Sequence, residues 1–281
     1  MSSLNTLAID PTLRPVLLER VIAEDHPPHQ WPVEPITAVG PELASSARAI
    51  AKSLVEDPGY VVVEVPGADL SDEQLISAAW NLFTVLFTPM EQYSGGELVS
   101  SIRVTAAARP GVSQYATSHA TGGYHTDGTE LAEPPQVTGL MCVSSADSGG
   151  ETLLMDGRRV VAELAAADRA ALSAPLWFHS GVEGAAERRQ PVIDGSELRY
   201  LRRYIVEGHR RRGEEPPTAA LDAWDRTTER ADLQLPVLLR RGQLLLWDNR
   251  RFVHGRKPFT EGESRRWLVR MYGMFRKPAG F

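Results

Sequence analysis

A chain of 281 residues, 42% of them hydrophobic, is long enough to bury a substantial core. Its 30 basic and 36 acidic residues leave a formal charge of −6, which argues against the basic face of a nucleic-acid binder. The single cysteine, Cys142, excludes an intramolecular disulfide, no run of apolar residues is long enough for a membrane span, and the Met1-Ser-Ser-Leu start lacks the basic-then-apolar pattern of a secretion signal, so a soluble cytoplasmic protein is expected.

The first forty residues carry Pro27, Pro28, Pro32 and Pro35, with Pro41 just beyond, and are expected to wrap the surface as an extended arm over 1–41. Helical composition over 42–56 ends at Pro58-Gly59, and 60–65 reads as a strand. Ser71 and Gln74 have the spacing of a capping box, in which each side chain satisfies a free amide of the other; Leu75, Ala78, Ala79, Leu82, Val85 and Leu86 then continue an apolar stripe at helical spacing. Residues 91–123 are rich in Gly, Ser, Thr and Ala with little periodicity, the composition of a loop that can form an active-site lid; His119 within it is a candidate substrate contact. Strands are expected over 136–143 and 152–156, and one helix over 158–174.

Between 176 and 216 short strand-like pieces carry Arg188, Arg189, Arg199, Arg202, Arg203, Arg210, Arg211 and Arg212, interleaved with Glu183, Glu187, Glu197 and Glu207. That pattern fits a solvated hairpin, or recognition of a multiply anionic substrate. A helix over 216–230 precedes an apolar stretch over 233–239, a buried strand over 242–247 and a final strand over 265–272. No internal repeat divides the chain, which is read as one domain over 1–281.

Two features carry chemistry. In an extended strand residues i and i+2 project to one side, so His125 and Asp127 can chelate one metal while Thr126 points away. His254, far downstream and just beyond the 242–247 strand, can supply a third ligand if a rolled sheet returns it to the same place. Two imidazoles and one carboxylate occupy one face of a six-coordinate ion and leave the other face open, the arrangement of non-haem Fe(II) oxygenases. In the last strand Arg266, Leu268 and Arg270 share a face, and two inward guanidinium forks form a receptor for acidic groups. On an exposed edge strand the same arginines would only discourage aggregation.

Together, His125-Thr-Asp127, Gly149-Gly-Glu-Thr152, Trp247-Asp-Asn-Arg250, Val253-His-Gly-Arg256 and Arg266-Trp-Leu-Val-Arg270 resemble the taurine dioxygenase and clavaminate synthase-like superfamily of Fe(II)/2-oxoglutarate oxygenases. The resemblance implies a mainly β fold with flanking helices, a double-stranded β-helix or jelly roll. It implies His125, Asp127 and His254 as iron ligands, and Arg266 with the Thr152 hydroxyl as the clamp for the distal carboxylate of 2-oxoglutarate. Arg270 falls where relatives hold an anionic group of the substrate. The implied reaction consumes O2 and 2-oxoglutarate and yields succinate and carbon dioxide with the oxidised product.

Asp127 matches the taurine dioxygenase pattern, whereas the C-terminal block looks more like the clavaminate branch, whose carboxylate ligand is usually Glu. A small amino acid or amino-acid-derived intermediate of specialised metabolism is the expected substrate, with a sulfonate or phosphate-bearing small molecule as the alternative. From other classes, the same ligand types suit a Zn(II) hydrolase, or a metal-binding module without turnover. The hydrolase does not account for Thr152, Arg266 and Arg270, and retention of every expected ligand counts against the module.

Overall fold

The computed structural model describes residues 4–23, 25–67, 69–92, 95–104, 123–260 and 265–276. Ten strands build two facing sheets: β1 (Thr6–Ala8), β2 (Tyr60–Glu64), β3 (Phe87–Met90), β4 (Val99–Arg103), β5 (Val137–Ser144), β6 (Thr152–Asp156), β7 (Leu235–Val237), β8 (Gln243–Asp248), β9 (Phe252–Arg256) and β10 (Trp267–Phe275). The larger sheet runs β1-β2-β8-β5-β10, and the far edge of β10 is shared by β4 and β3. The smaller runs β7-β6-β9. Apart from the parallel β1–β2 pair, neighbours in both sheets are antiparallel.

Both faces of the larger sheet are covered, which is why its strands read as near-continuous apolar runs. Leu140, Leu245 and Trp247 on its inner face meet Leu154, Val237 and Phe252 of the smaller sheet. On its outer face Val61, Val63, Met141 and Leu246 pack against helix Asp72–Leu86 through Leu75, Ala79 and Phe83. That helix starts with the capping box expected of Ser71 and Gln74. A second helical layer, including Leu172, Ile205 and Trp224, covers Met155 and Val253 on the outside of the smaller sheet. Two sheets packed face to face between helices make the double-stranded β-helix that the resemblance implies.

Three expectations about the flanks change. Residues 1–41 do not form one extended arm: they include β1, short helical turns at Pro11–Leu13, Arg14–Leu17 and Pro28–Gln30, and bury Leu13, Leu17, Ile22, Trp31 and Ile36 in the core. The single helix expected over 158–174 is two, Gly157–Glu163 and Ala166–Ser173, joined by extended backbone at Leu164 and Ala165. A straight helix of that length would run about 25 Å, whereas the break brings Val160, Leu164 and Leu172 into one core cluster. Part of the expected lid is strand β4 at the sheet edge, and residues 105–122, with His119, lie outside the described residues.

The basic segment is resolved into a helix, Arg202–Arg212, and short hairpin strands. Arg202 pairs with Asp222 and Asp225, Arg210 and Arg211 with Glu207, and Arg212 with Glu187. Ion pairs therefore neutralise half of the eight arginines in a cluster that reads as strongly basic: Glu207 and Glu187 take three, and Asp222 and Asp225 take Arg202.

Candidate metal centre and its surroundings

His125 and His254 face each other as an isolated antiparallel bridge, exchanging backbone hydrogen bonds of 3.0 and 2.8 Å. Opposed residues of such a bridge project to one face, and the two imidazoles stand 4.3 Å apart, centroid to centroid. Asp127 joins them by strand alternation: its carboxylate oxygens lie 3.9 Å from His125 Nε2 and 3.6 Å from His254 Nε2. One ligand atom from each residue lies within 4.8 Å of the others, and among the described residues this is the cluster of metal-ligand type. Thr126 points away, as expected, and its hydroxyl accepts a hydrogen bond from the Tyr200 amide at 3.0 Å.

The protonation states suit a divalent cation. The Nδ1 of His125 is 3.1 Å from the Gly123 carbonyl, a partner that fixes the tautomer with the Nε2 lone pair free for a metal. Burial pushes the His254 imidazole down to about 3, so it is neutral at ordinary pH. For Asp127 burial acts upward, but the adjoining His254, Arg270 and His125 and a hydrogen bond from Tyr272 outweigh it and hold the carboxyl well below its usual range. Two imidazoles and an ionised carboxylate are the donor set that a ferrous ion takes, with room on its opposite face.

Residues without an expected role fix this triad. Asn249, 1% exposed, accepts from the Asp127 amide at 2.8 Å and donates to the carbonyls of Asp127 and Pro135, each at 3.0 Å. Thr138, on the inner face of β5, donates to Asp127 Oδ2 at 3.1 Å. Gln92 accepts from Arg270 Nε at 2.8 Å and donates to the Arg270 carbonyl at 2.8 Å. Strand alternation could have pointed to Thr138, and Asn249 lies in the Trp247-to-Arg250 segment. Gln92 has no comparable sequence signal.

The two arginines occupy different places on one face. Arg270 reaches the metal ligands, with Nη1 3.2 Å from Asp127 Oδ1. Arg266, 6% exposed, lies about 13 Å of strand away, lining a small cavity with Thr152, Gly150 and Leu268. Its guanidinium approaches the Gly150 carbonyl at 3.4 Å and the Phe259 ring at 5.1 Å. A side chain at Gly149 would meet the Pro258 carbonyl oxygen at 2.3 Å, and one at Gly150 would meet Arg266 Nε at 3.1 Å, with both backbones at positive φ. The two glycines therefore let the turn before Thr152 close over Arg266. Thr152 pairs with Arg256 across β6–β9 while Leu154 pairs with His254, so the hydroxyl sits one same-face step from the metal row.

A cavity of about 90 Å³ adjoins the triad and is walled by Gln92, Glu130, Arg203, Tyr204, Arg270 and Tyr272. Burial holds the Glu130 carboxyl above its ordinary range, with Asp127 pushing the same way and Arg270 and Arg203 opposing.

A jelly roll carrying two histidines and an aspartate beside a polar cavity has the ligand set of a mononuclear non-haem metal site. Residues 24–272 match the taurine catabolism dioxygenase TauD, TfdA family, and the chain belongs to that family. A uridine-5'-phosphate dioxygenase of Streptomyces sp is 35% identical over 59% of this chain and 66% of its own length. An alpha-ketoglutarate-dependent sulfonate dioxygenase of Saccharomyces cerevisiae is 29% identical over 52% of this chain and 41% of its own. The chain thus spans less than two thirds of either relative. An asparagine oxygenase solved with Fe(II), 3-hydroxyasparagine and succinate shares the fold with a TM-score of 0.70 at 18% identity, covering 96% of this chain and 93% of that one. The non-heme iron oxygenase OrfP, solved with Fe and alpha-ketoglutaric acid, gives 0.68 at 19% identity, covering 97% and 94%.

Proposed function

We propose that the protein is an Fe(II)- and 2-oxoglutarate-dependent dioxygenase that hydroxylates a small amino acid or an amino-acid-derived intermediate of specialised metabolism, with succinate and carbon dioxide as co-products. The observation that carries this reading is that Arg270 and Glu130 line the same cavity as His125 and Asp127 of the triad. His125, Asp127 and His254 would hold the iron, and Arg266 with Thr152 the distal carboxylate of 2-oxoglutarate. Iron and 2-oxoglutarate, when bound, supply the oxidising chemistry; the protein's residues position the substrate and restrict water. A guanidinium and a carboxylate across one small cavity suit the carboxylate and ammonium of an amino acid, and a bound ammonium would return the Glu130 carboxyl towards its ionised form. Structural relatives solved with hydroxylated asparagine and hydroxylated arginine support the reading.

A phosphate or sulfonate substrate is the second reading, favoured by what the two curated relatives are named for. We place the protein in the cytoplasm: its one cysteine is free and buried, and among the described residues no helix is long and apolar enough to cross a membrane. Adding Fe(II) and 2-oxoglutarate without oxygen tests the cofactor assignment. The oxygenase reading expects a visible charge-transfer absorption that requires His125, Asp127 and His254; a zinc hydrolase or a binding module would give none. Succinate release is then compared across L-amino acids, nucleoside monophosphates and alkyl sulfonates, and selective stimulation by the last two groups would replace the amino-acid reading.

A further inference from the structure

A second, larger cavity of about 700 Å³ opens beside the metal cavity, and the two share Gly123, Leu201 and Arg203. The smaller holds only a few water-sized positions, whereas the larger is within the usual range of small-molecule sites. Its walls are largely apolar, formed by Leu153, Val206, Pro258 and the ring of Tyr124. Most of its charges are already committed. Arg202 is bound to Asp222 and Asp225 at 2.6 and 2.7 Å, Glu207 accepts from Arg210 and Arg211, and Lys257 faces Glu151 at 3.5 Å.

Arg203 differs. It is exposed into both cavities, and its polar contact is with the neighbouring Tyr204 hydroxyl, 3.3 Å from Nη2. Among the described residues it forms no direct ion pair, and Glu130, which lines the smaller cavity, feels its charge only at longer range. Glu229, the acid left on the far side, lines the cavity together with Tyr124. The large cavity therefore presents a cation at its neck and an anion beside its aromatic wall.

We infer that this cavity is a second substrate subsite, and that Arg203 is a specificity-determining residue that binds an oxyanion, carboxylate or phosphate, on a substrate whose apolar or planar body lies along Tyr124 and Val206. The inference rests on the dioxygenase reading and sharpens it: the substrate is larger than a free small amino acid, with its reacting end at the triad. A guanidinium fork matches either oxyanion in a way an ammonium does not.

The test uses the unaltered protein loaded anaerobically with Fe(II) and 2-oxoglutarate, alongside the Arg203→Ala and Arg203→Lys variants. Two charged probes and their neutral twins are titrated by calorimetry: uridine 5'-monophosphate against uridine, and γ-glutamyl-phenylalanine against its C-terminal amide. Tighter binding of the nucleotide assigns the oxyanion as phosphate, and tighter binding of the dipeptide assigns it as carboxylate. Whichever charged probe binds should weaken on the order of tenfold in Arg203→Ala, with only partial recovery in Arg203→Lys, while its neutral twin does not distinguish the three proteins. Binding unaffected by Arg203→Ala, charged probes no better than their twins, or no binding of either charged probe would overturn the inference. Failure of the visible absorption in the unaltered protein would instead remove the dioxygenase reading, whatever the probes do.

Discussion

Replacing Asn249 by Ala is expected to damage the metal centre without removing a ligand. The side chain bridges residues 122 apart, clamping the Asp127 peptide from both its amide and its carbonyl and holding Pro135 as well. At 1% exposure, little solvent reaches the groups left behind. Three buried polar groups lose their partner, at about 1 to 3 kcal/mol each when unsatisfied; with partial relaxation the net loss should be about 3 to 5 kcal/mol. Asn249→Asp retains an acceptor for the Asp127 amide but turns an oxygen towards two carbonyl oxygens, so it should not rescue. Thr138→Val offers the contrast: it removes one hydrogen bond to the Asp127 carboxylate, should cost about 1 kcal/mol, and should weaken the metal about tenfold through the carboxylate alone. Thermal unfolding of the metal-free proteins and Co(II) titration followed by its visible spectrum measure both quantities. If Asn249→Ala matched the unaltered protein in melting temperature and Co(II) affinity, the clamp would have no positioning role.

Alanine at His125, Asp127 or His254 should abolish Fe(II)-dependent conversion of 2-oxoglutarate to succinate; full turnover by His254→Ala would remove the central assignment. Asp127→Ala should lower the melting temperature most, because it removes the carboxylate that faces Arg270 in a buried site, whereas His125 is 29% exposed at its side chain. In anaerobic titrations of the visible chelate, Arg266→Ala should weaken 2-oxoglutarate binding about 30-fold or more, and the exposed Arg265 should tolerate Ala; equal losses would place the wrong arginine in the clamp. For pH, the unfolded chain protonates His254 near the ordinary value of about 6.5, while the native imidazole stays neutral down to about 3. Between those values the unfolded state binds more protons, so metal-free stability should fall as pH drops, and Asp127, whose native carboxyl is also depressed, adds to the loss below about pH 4. Melting curves from pH 7 to 4.5 should show this decline, shallower in His254→Gln, and a rise in stability on acidification would contradict the sign.

Much of this protein is written locally. Alternation alone places His125 and Asp127 on one side of an extended segment, and the capping pair Ser71 and Gln74 sets a helix start, because each depends on residues within one pleat or one turn. The continuous apolar runs of β5 and β8 likewise announce strands covered on both faces. Spacing could propose His254 as the third ligand but could not put it opposite His125, since that depends on how two sheets pair across distant parts of the chain. Burial is equally invisible in one dimension. The broken helix over 157–173, the neutralised arginines around Glu207, the Asn249 clamp and the exposed neck position of Arg203 all follow from which surfaces meet and which groups water no longer reaches. Sequence supplied the metal-binding chemistry through short-range geometry. Tertiary packing decided which polar groups support the metal site and which face the substrate cavities, because only a folded core sets the distances and the solvent access that determine those energies.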